Sequence, residues 1–166
     1  MTLADLAAGD SVFVDANILI YLAGPDPVFG AACQQLMQSI DTQQLQGYTS
    51  THVLAEVARQ LMIIEASTLP GWTLGKVRQR LQQQPAAVQQ LTLFRRTIET
   101  VLQSNFRVLT LAPASLVDAA IISQQYGLLT NDALSLAVMQ ANGLTKIASA
   151  DTDFDRVPGI TRCAPA

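Results

Sequence analysis

An α/β fold, with a short parallel sheet of about five strands flanked by helices on both faces, is predicted from three observations. Strand-like runs alternate with helix-like segments along most of the chain, and strands joined by helices imply a parallel sheet. At 166 residues the chain is large enough to bury a substantial core without disulfide or zinc staples. No internal repeat, low-complexity tail or interdomain linker interrupts it, so residues 1–166 read as a single domain.

The elements follow in order. Val12 to Val14 is a β-rich run ending at Asp15, and Asn17 to Leu22 reads as a short helix halted at Gly24-Pro25. Asp26 and Pro27 form an N-cap and first-turn pair for a helix running to about Gln44, before a brief strand near Gln46 to Thr49. Ser50 or Thr51 can cap the next helix, whose apolar positions Val53, Leu54, Val57, Leu61 and Ile64 recur with helical spacing. Glu56 falls one turn in, at the edge of that apolar face. Residues 66–107 read as further helix, a helical hairpin interrupted at Pro70-Gly71 and Pro85. Arg107 to Leu111 is a strand, Pro113 starts a helix to about Tyr126, and Asn131 to Asn142 is a helix closed by Gly143. Lys146 to Ala150 is a strand ending at Asp151, and Ile160 to Cys163 a final short one.

Composition bounds the function. The opening MTLADLAAGD lacks the basic start and apolar run of a signal peptide, and no stretch approaches the ~20 apolar residues that span a bilayer. Cys33 and Cys163 are far apart in sequence and read as buried free thiols. A cytoplasmic protein without a membrane role is expected. The net charge is −3 and the pI about 4.9, which opposes nucleic-acid binding, since such proteins commonly present a basic face. The charge is uneven, however. Lys76, Arg78, Arg80, Arg95, Arg96 and Arg107 lie in one stretch where Glu99 is the only acid. That stretch is either a set of solvated helix faces or a basic surface, and it supports RNA binding only if it folds beside the acids.

The acids carry the chemistry. In FVDANILIY (13–21), NDALSLAV (131–138) and SADTDFD (149–155), an acid stands where an apolar strand ends or a helix begins. In an open parallel sheet, ligands bind outside the carboxyl ends of the strands, so Asp15, Asp132 and Asp151 can converge, with Glu56 as a fourth member. Carboxylates held within a few ångströms must take up protons or bind a cation. Mg²⁺ or Mn²⁺ suits such hard oxygen donors and needs no histidine, and the chain has only His52. The economical reading is a metal-dependent nuclease. Asp132 gains support from the first turn of its helix, where the macrodipole favours an anion.

The same segments, taken in order, resemble the PIN-domain ribonucleases, especially the VapC-like toxins of bacterial toxin-antitoxin pairs. FVDANILIY resembles their opening strand motif, with Asp15 as first metal-site acid and Asn17 as its brace; in TSTHVLAEV, Thr49 to Thr51 match the small hydroxyl residues and Glu56 the helical glutamate. NDALSLAV matches the segment carrying the third acid, Asp132; SADTDFD matches the terminal pattern, with Asp151 fourth and Asp153 auxiliary. The resemblance covers nearly the whole chain. It implies a Mg²⁺- or Mn²⁺-dependent endoribonuclease with Asp15, Glu56, Asp132 and Asp151 catalytic and Asp15, Asp132, Asp151 and Asp153 at the metal; Arg95 and Arg96, from the basic stretch, are the expected contacts to RNA phosphate. It also implies a homodimer silenced by a cognate antitoxin. The overall acidity and the Gln-rich middle depart from the pattern.

Other readings are weighed on the residues. A phosphatase of the haloacid dehalogenase type needs a second Asp two residues beyond the first, and Asn17 stands there. A non-catalytic RNA- or protein-binding module on the same fold is the alternative, which the acidity keeps open. Asp155 reads as a cap for the turn before Pro158-Gly159, and Asp118 as the partner of Ser115 in a capping box, so both fall outside the site. His52 reads as a surface residue at a helix start, and Trp72 as packing. Ser50 and Ser149 either bond carboxylates or cap and turn.

Overall fold

The computed structural model describes every residue except Pro25 and Thr73 and the side chain of Leu74. It contains β1 (Ser11–Val14), α1 (Ala16–Ala23), α2 (Gly30–Asp41), β2 (Gln46–Ser50) and α3 (Thr51–Ser67). Then come α4 (Val77–Gln83), α5 (Pro85–Val88), α6 (Leu93–Gln103) and β3 (Arg107–Leu109). The chain closes with α7 (Pro113–Tyr126), α8 (Thr130–Ala141), β4 (Lys146–Ala148) and β5 (Thr161–Cys163). Every strand pairing is parallel, in the order β3-β2-β1-β4-β5.

Central β1 shows why this sequence makes a covered sheet. Three consecutive residues, Val12, Phe13 and Val14, are fully buried, and successive side chains of a strand point to opposite faces, so both faces are covered. Phe13 is in register with Tyr48 of β2 and Ile147 of β4. Ile18, Leu19, Ile40, Val57, Leu61, Leu136, Met139 and Phe154 complete the core from the helices and the last turn. Gly47 of β2 lets α2 lie close to the sheet: a Cβ there would meet Ile40 side-chain atoms at 2.7 Å.

The sequence boundaries need few corrections. The second helix begins at Gly30, because the Asp26 carboxylate accepts the amides of Val28 (3.0 Å) and Phe29 (2.7 Å) and thereby caps a turn ahead of the helix, and it ends at Asp41, short of the expected Gln44. Pro25, half of the expected Gly24-Pro25 break, lies outside the described residues; the Gly24 amide closes α1 on the Ile20 carbonyl at 3.0 Å. The strand expected to Leu111 ends at Leu109, and the one expected to Ala150 ends at Ala148. Residues 66–107 are largely helical, built on a satellite cluster of Ala66, Val77 and Leu91, with Trp72 packed against it. Ser115 and Asp118 form no capping box: α7 is capped at Ala112 without a side-chain bond, its first turn pre-set by Pro113. Asp155 does not cap a turn but holds Arg162 through two bonds of 2.9 Å. Among the described residues, no helix is long and apolar enough to cross a membrane.

Candidate metal centre

The acids gather where β1 and β4 end. Asp15 follows β1 directly and caps α1, its Oδ1 accepting the Ala16 amide at 2.8 Å. Its Oδ2 accepts from Asn17 Nδ2 at 2.6 Å and from Ser149 Oγ at 2.8 Å, the latter joining residues 134 apart in sequence. Asn17 also donates to Ser149 Oγ (2.9 Å) and accepts the Ala150 amide on Oδ1 (3.1 Å), while Ser149 Oγ accepts the Asp151 amide (3.0 Å). These bonds lock the end of β1 to the loop after β4. Burial pushes the Asp15 carboxyl up; the Ser149 and Ala16 donors oppose that, and the charges of Asp151 and Glu56 reinforce it.

Asp132, Asp151 and Asp153 each offer a carboxylate oxygen, and these three oxygens lie within 4.8 Å of one another. Asp132 sits in the first turn of α8, and Asp151 caps the 3-10 turn Thr152–Arg156 by accepting the Asp153 amide at 2.9 Å. Burial, then the charges of Asp15, Asp151 and Asp153, push Asp132 up to about 6. Repulsion and desolvation therefore outweigh the favourable end of the helix dipole at this position. Asp153 is further paired with Arg156, one turn on.

Asp15 and Glu56 stand outside that trio. Glu56 is held on its own helix by Arg59, through contacts of 2.9 and 2.5 Å, and by Gln60 at 2.9 Å. The Arg59 bond, with Gln60 assisting, keeps its carboxyl below the usual range against the pull of burial. Arg95 and Arg96 lie exposed on α6; Arg95 faces Glu99 at 3.6 Å, and the structure shows no contact of either with the acids.

The hydroxyl run Thr49–Thr51 fastens β2 beside the site. Thr49 Oγ1 donates to the Val14 carbonyl at 3.1 Å, and Ser50 caps α3 through the Val53 amide at 3.4 Å. Of the two roles open to each serine, Ser149 bonds a carboxylate and Ser50 is a cap. His52, at the start of α3, is half-buried: its Nδ1 pairs with Ser50 Oγ at 2.8 Å and its Nε2 with Ser135 Oγ at 3.2 Å, tying α3 to α8. Burial pushes its imidazole down, so the neutral ring is favoured. Sequence reasoning missed this bridge and also missed Arg156. Only the three-residue spacing from Asp153 hinted at the latter, since residues so spaced share one face of a helical turn.

The donor set can hold a cation. Three convergent carboxylate oxygens are hard donors that suit a divalent cation.

Known proteins share both sequence and fold with this chain. Ribonuclease VapC2 of Methanocaldococcus jannaschii is 29% identical over 149 residues, 89% of each chain; Ribonuclease VapC6 of the same organism is 38% identical over 60 residues, 36% of this chain and 35% of that one. Among solved structures, Mycobacterium tuberculosis VapC20, described as a Sarcin-Ricin loop cleaving toxin, superposes with a TM-score of 0.59 at 21% identity, covering 87% of this chain and 92% of that one. VapBC2 from Rickettsia felis, solved bound to a DNA fragment from its promoter, has a TM-score of 0.59 at 14% identity, covering 93% and 98%. Residues 12–160 match the PIN domain model, and the chain belongs to the PIN domain family.

Proposed function

We propose that this protein is a metal-dependent endoribonuclease, the toxin of a toxin-antitoxin pair, and that its acids are the site. The observation that carries the reading is the Asp132, Asp151 and Asp153 trio at the carboxyl end of the sheet, in a PIN domain with VapC ribonucleases as relatives. Asp132, Asp151 and Asp153 are the residues that would hold Mg²⁺ or Mn²⁺. When bound, such an ion supplies charge neutralisation at a phosphodiester and an acidified water. Asp15 acts from behind: with Asn17 and Ser149 it fixes the backbone that presents Asp151, and its buried carboxyl adds to the negative field. Glu56, held ionised by Arg59, adds charge from the neighbouring helix. In the free protein the repulsion within the trio is what a cation relieves.

An antitoxin partner is part of the proposal, supported by the toxin–antitoxin complexes of Klebsiella pneumoniae and Rickettsia felis among the structures of like fold. Pairing with a second copy is supported by α7, where Leu116, Val117 and Ile121 are each more than half exposed. A cytoplasmic setting accords with Cys33 and Cys163, both free and buried. The test is incubation of purified, partner-free protein with a mixed RNA pool in Mg²⁺, Mn²⁺ or EDTA, with Asp151→Asn alongside. Metal-dependent cleavage lost in the variant supports the enzyme. A folded protein that cleaves in none of these conditions moves the reading to a non-catalytic binding module, which the net charge of −3 favours.

A further inference from the structure

An anionic centre repels the RNA phosphate it must engage, so a nuclease of this design needs a cation beside its acids. Among the described residues the arginines of the helical segment show no contact there, and two other arginine pairs are closed. Arg59 grips Glu56 with two nitrogens. Arg162 grips Asp155 with two, spends a third on the Ser149 carbonyl at 3.2 Å, and is only 16% exposed.

Arg156 differs from both. It is the cation that pairs with a member of the trio among the described residues, and its side chain is 53% exposed despite two anchors. One anchor is charged, Nη2 to Asp153 Oδ1. The other is neutral, Nη1 to the Gly127 carbonyl at 3.3 Å. Gly127 closes α7 in the left-handed conformation (φ 68°), three residues ahead of α8 and its Asp132. The guanidinium thus sits at the rim between the two segments that bring the trio together. Of its five N–H donors these anchors use two, and the planar fork suits a bidentate grip on phosphate.

We propose that Arg156 is the RNA-phosphate contact of this site: it supplies the positive charge that seats the backbone beside the trio. The inference takes its substrate class from the proposed function, but it is tested by binding as well as by cleavage. Wild type, Arg156→Gln and Arg156→Lys are compared for binding of a short fluorescein-labelled single-stranded RNA across a salt series, for Mn²⁺ binding by electron paramagnetic resonance, and for cleavage kinetics.

The expected result for Arg156→Gln is RNA affinity weakened about tenfold and a salt slope shallower by about 0.7, the value for one lost phosphate contact on a single strand. Mn²⁺ affinity should be equal or higher, because a competing cation has left Asp153, and KM should rise by more than kcat falls. Arg156→Lys should keep the salt slope and recover part of the affinity, since it retains the charge and loses the fork. Loss of Mn²⁺ affinity in step with RNA affinity would overturn the proposal, showing Arg156 to be a clamp between the two acid-bearing segments. RNA binding indifferent to Arg156→Gln would overturn it too. RNA binding that depends on Arg156 in a protein that never cleaves would uphold this inference and sink the nuclease reading, so the two failures are distinguishable.

Discussion

The acid centre and the helical segment of residues 66–107 are held together by different physics. At the acid centre the decisive bonds are long-range: Ser149 to Asp15 across 134 residues, His52 to Ser135 across 83, Asn17 to the Ala150 amide across 133. The strand residues Val14 and Ala148, which precede Asp15 and Ser149, are fully buried. The helical segment has its own small cluster of Ala66, Val77 and Leu91. Among its polar ties, Glu65 accepts the amides of Thr92 and Leu93 at 2.9–3.1 Å. Among the described residues this cluster has three buried members, and so small a cluster is expected to open at lower free energy than the sheet that carries the centre. Pre-organised carboxylates need the second kind of support, because displaced by an ångström they no longer share an ion.

The largest expected effect breaks the centre. Asp151→Asn and Asp132→Asn should each lower metal-dependent cleavage at least a hundredfold while near-native circular dichroism is kept, since an amide conserves shape and removes a ligand's charge. Ser149→Ala leaves the trio in place but frees Asp15 and the Asp151 amide, and should cost about 10–100-fold in Mn²⁺ affinity. Wild-type kinetics in Asp151→Asn would remove the assigned site.

Packing is the next contrast. Leu61→Ala in the main core should cost about 2–5 kcal/mol of global stability in denaturant titration. Val77→Ala in the satellite cluster should leave the global midpoint nearly unchanged and accelerate amide exchange only between residues 66 and 103. Equal loss of global stability in the two variants would show a single cooperative unit. Gly47→Ala tests the sheet side of the comparison: its Cβ meets Ile40, and about 1–3 kcal/mol should be lost.

A smaller effect reads the charge at the centre. Asp132 is pushed up to about 6 from 3.8, so its contribution to metal-free stability is complete below 3.8 and is lost as the pH rises toward 6. The thermal midpoint of Asp132→Asn should therefore gain on that of wild type between pH 4 and 6 and hold a constant lead above. Mn²⁺ affinity of the wild type should fall about tenfold per unit below pH 6, where binding must displace one proton. A difference in midpoint that is flat across this range would return Asp132 to an ordinary carboxylate. The smallest effect belongs to the helical segment: Arg95→Glu with Arg96→Glu should weaken RNA binding a fewfold and flatten its salt dependence, and unchanged salt dependence would leave both as solvated helix residues.

Most of the fold was legible because its signals are local. Pro113 and Tyr126 bound a helix just where punctuation and periodicity put it, and β2, β4 and β5 fall within two residues of their expected ends. The second helix starts later than its punctuation predicts because Asp26 caps the turn before the helix and not the helix itself. Ser115 and Asp118 have the spacing of a capping box without its geometry, since Pro113 already opens the helix and Ser115 is buried.

The candidate site divides along the same line. Acids at strand ends and helix starts are local facts, and with the parallel topology they determined from the sequence alone where Asp15, Asp132 and Asp151 stand along the chain. Which oxygens meet was decided by tertiary structure. Asp153 joins the trio on the turn that Asp151 caps, Asp15 stays outside it with its Oδ2 taken by Ser149 and Asn17, and Glu56 is paired with Arg59. Arg156 is anchored both by Asp153 and by the Gly127 carbonyl at the end of α7, a partner 29 residues away in sequence. Strand and helix propensity act through neighbours a few residues apart, whereas a side-chain bond forms with whatever the packed chain brings within 3 Å, and only the completed fold selects that partner.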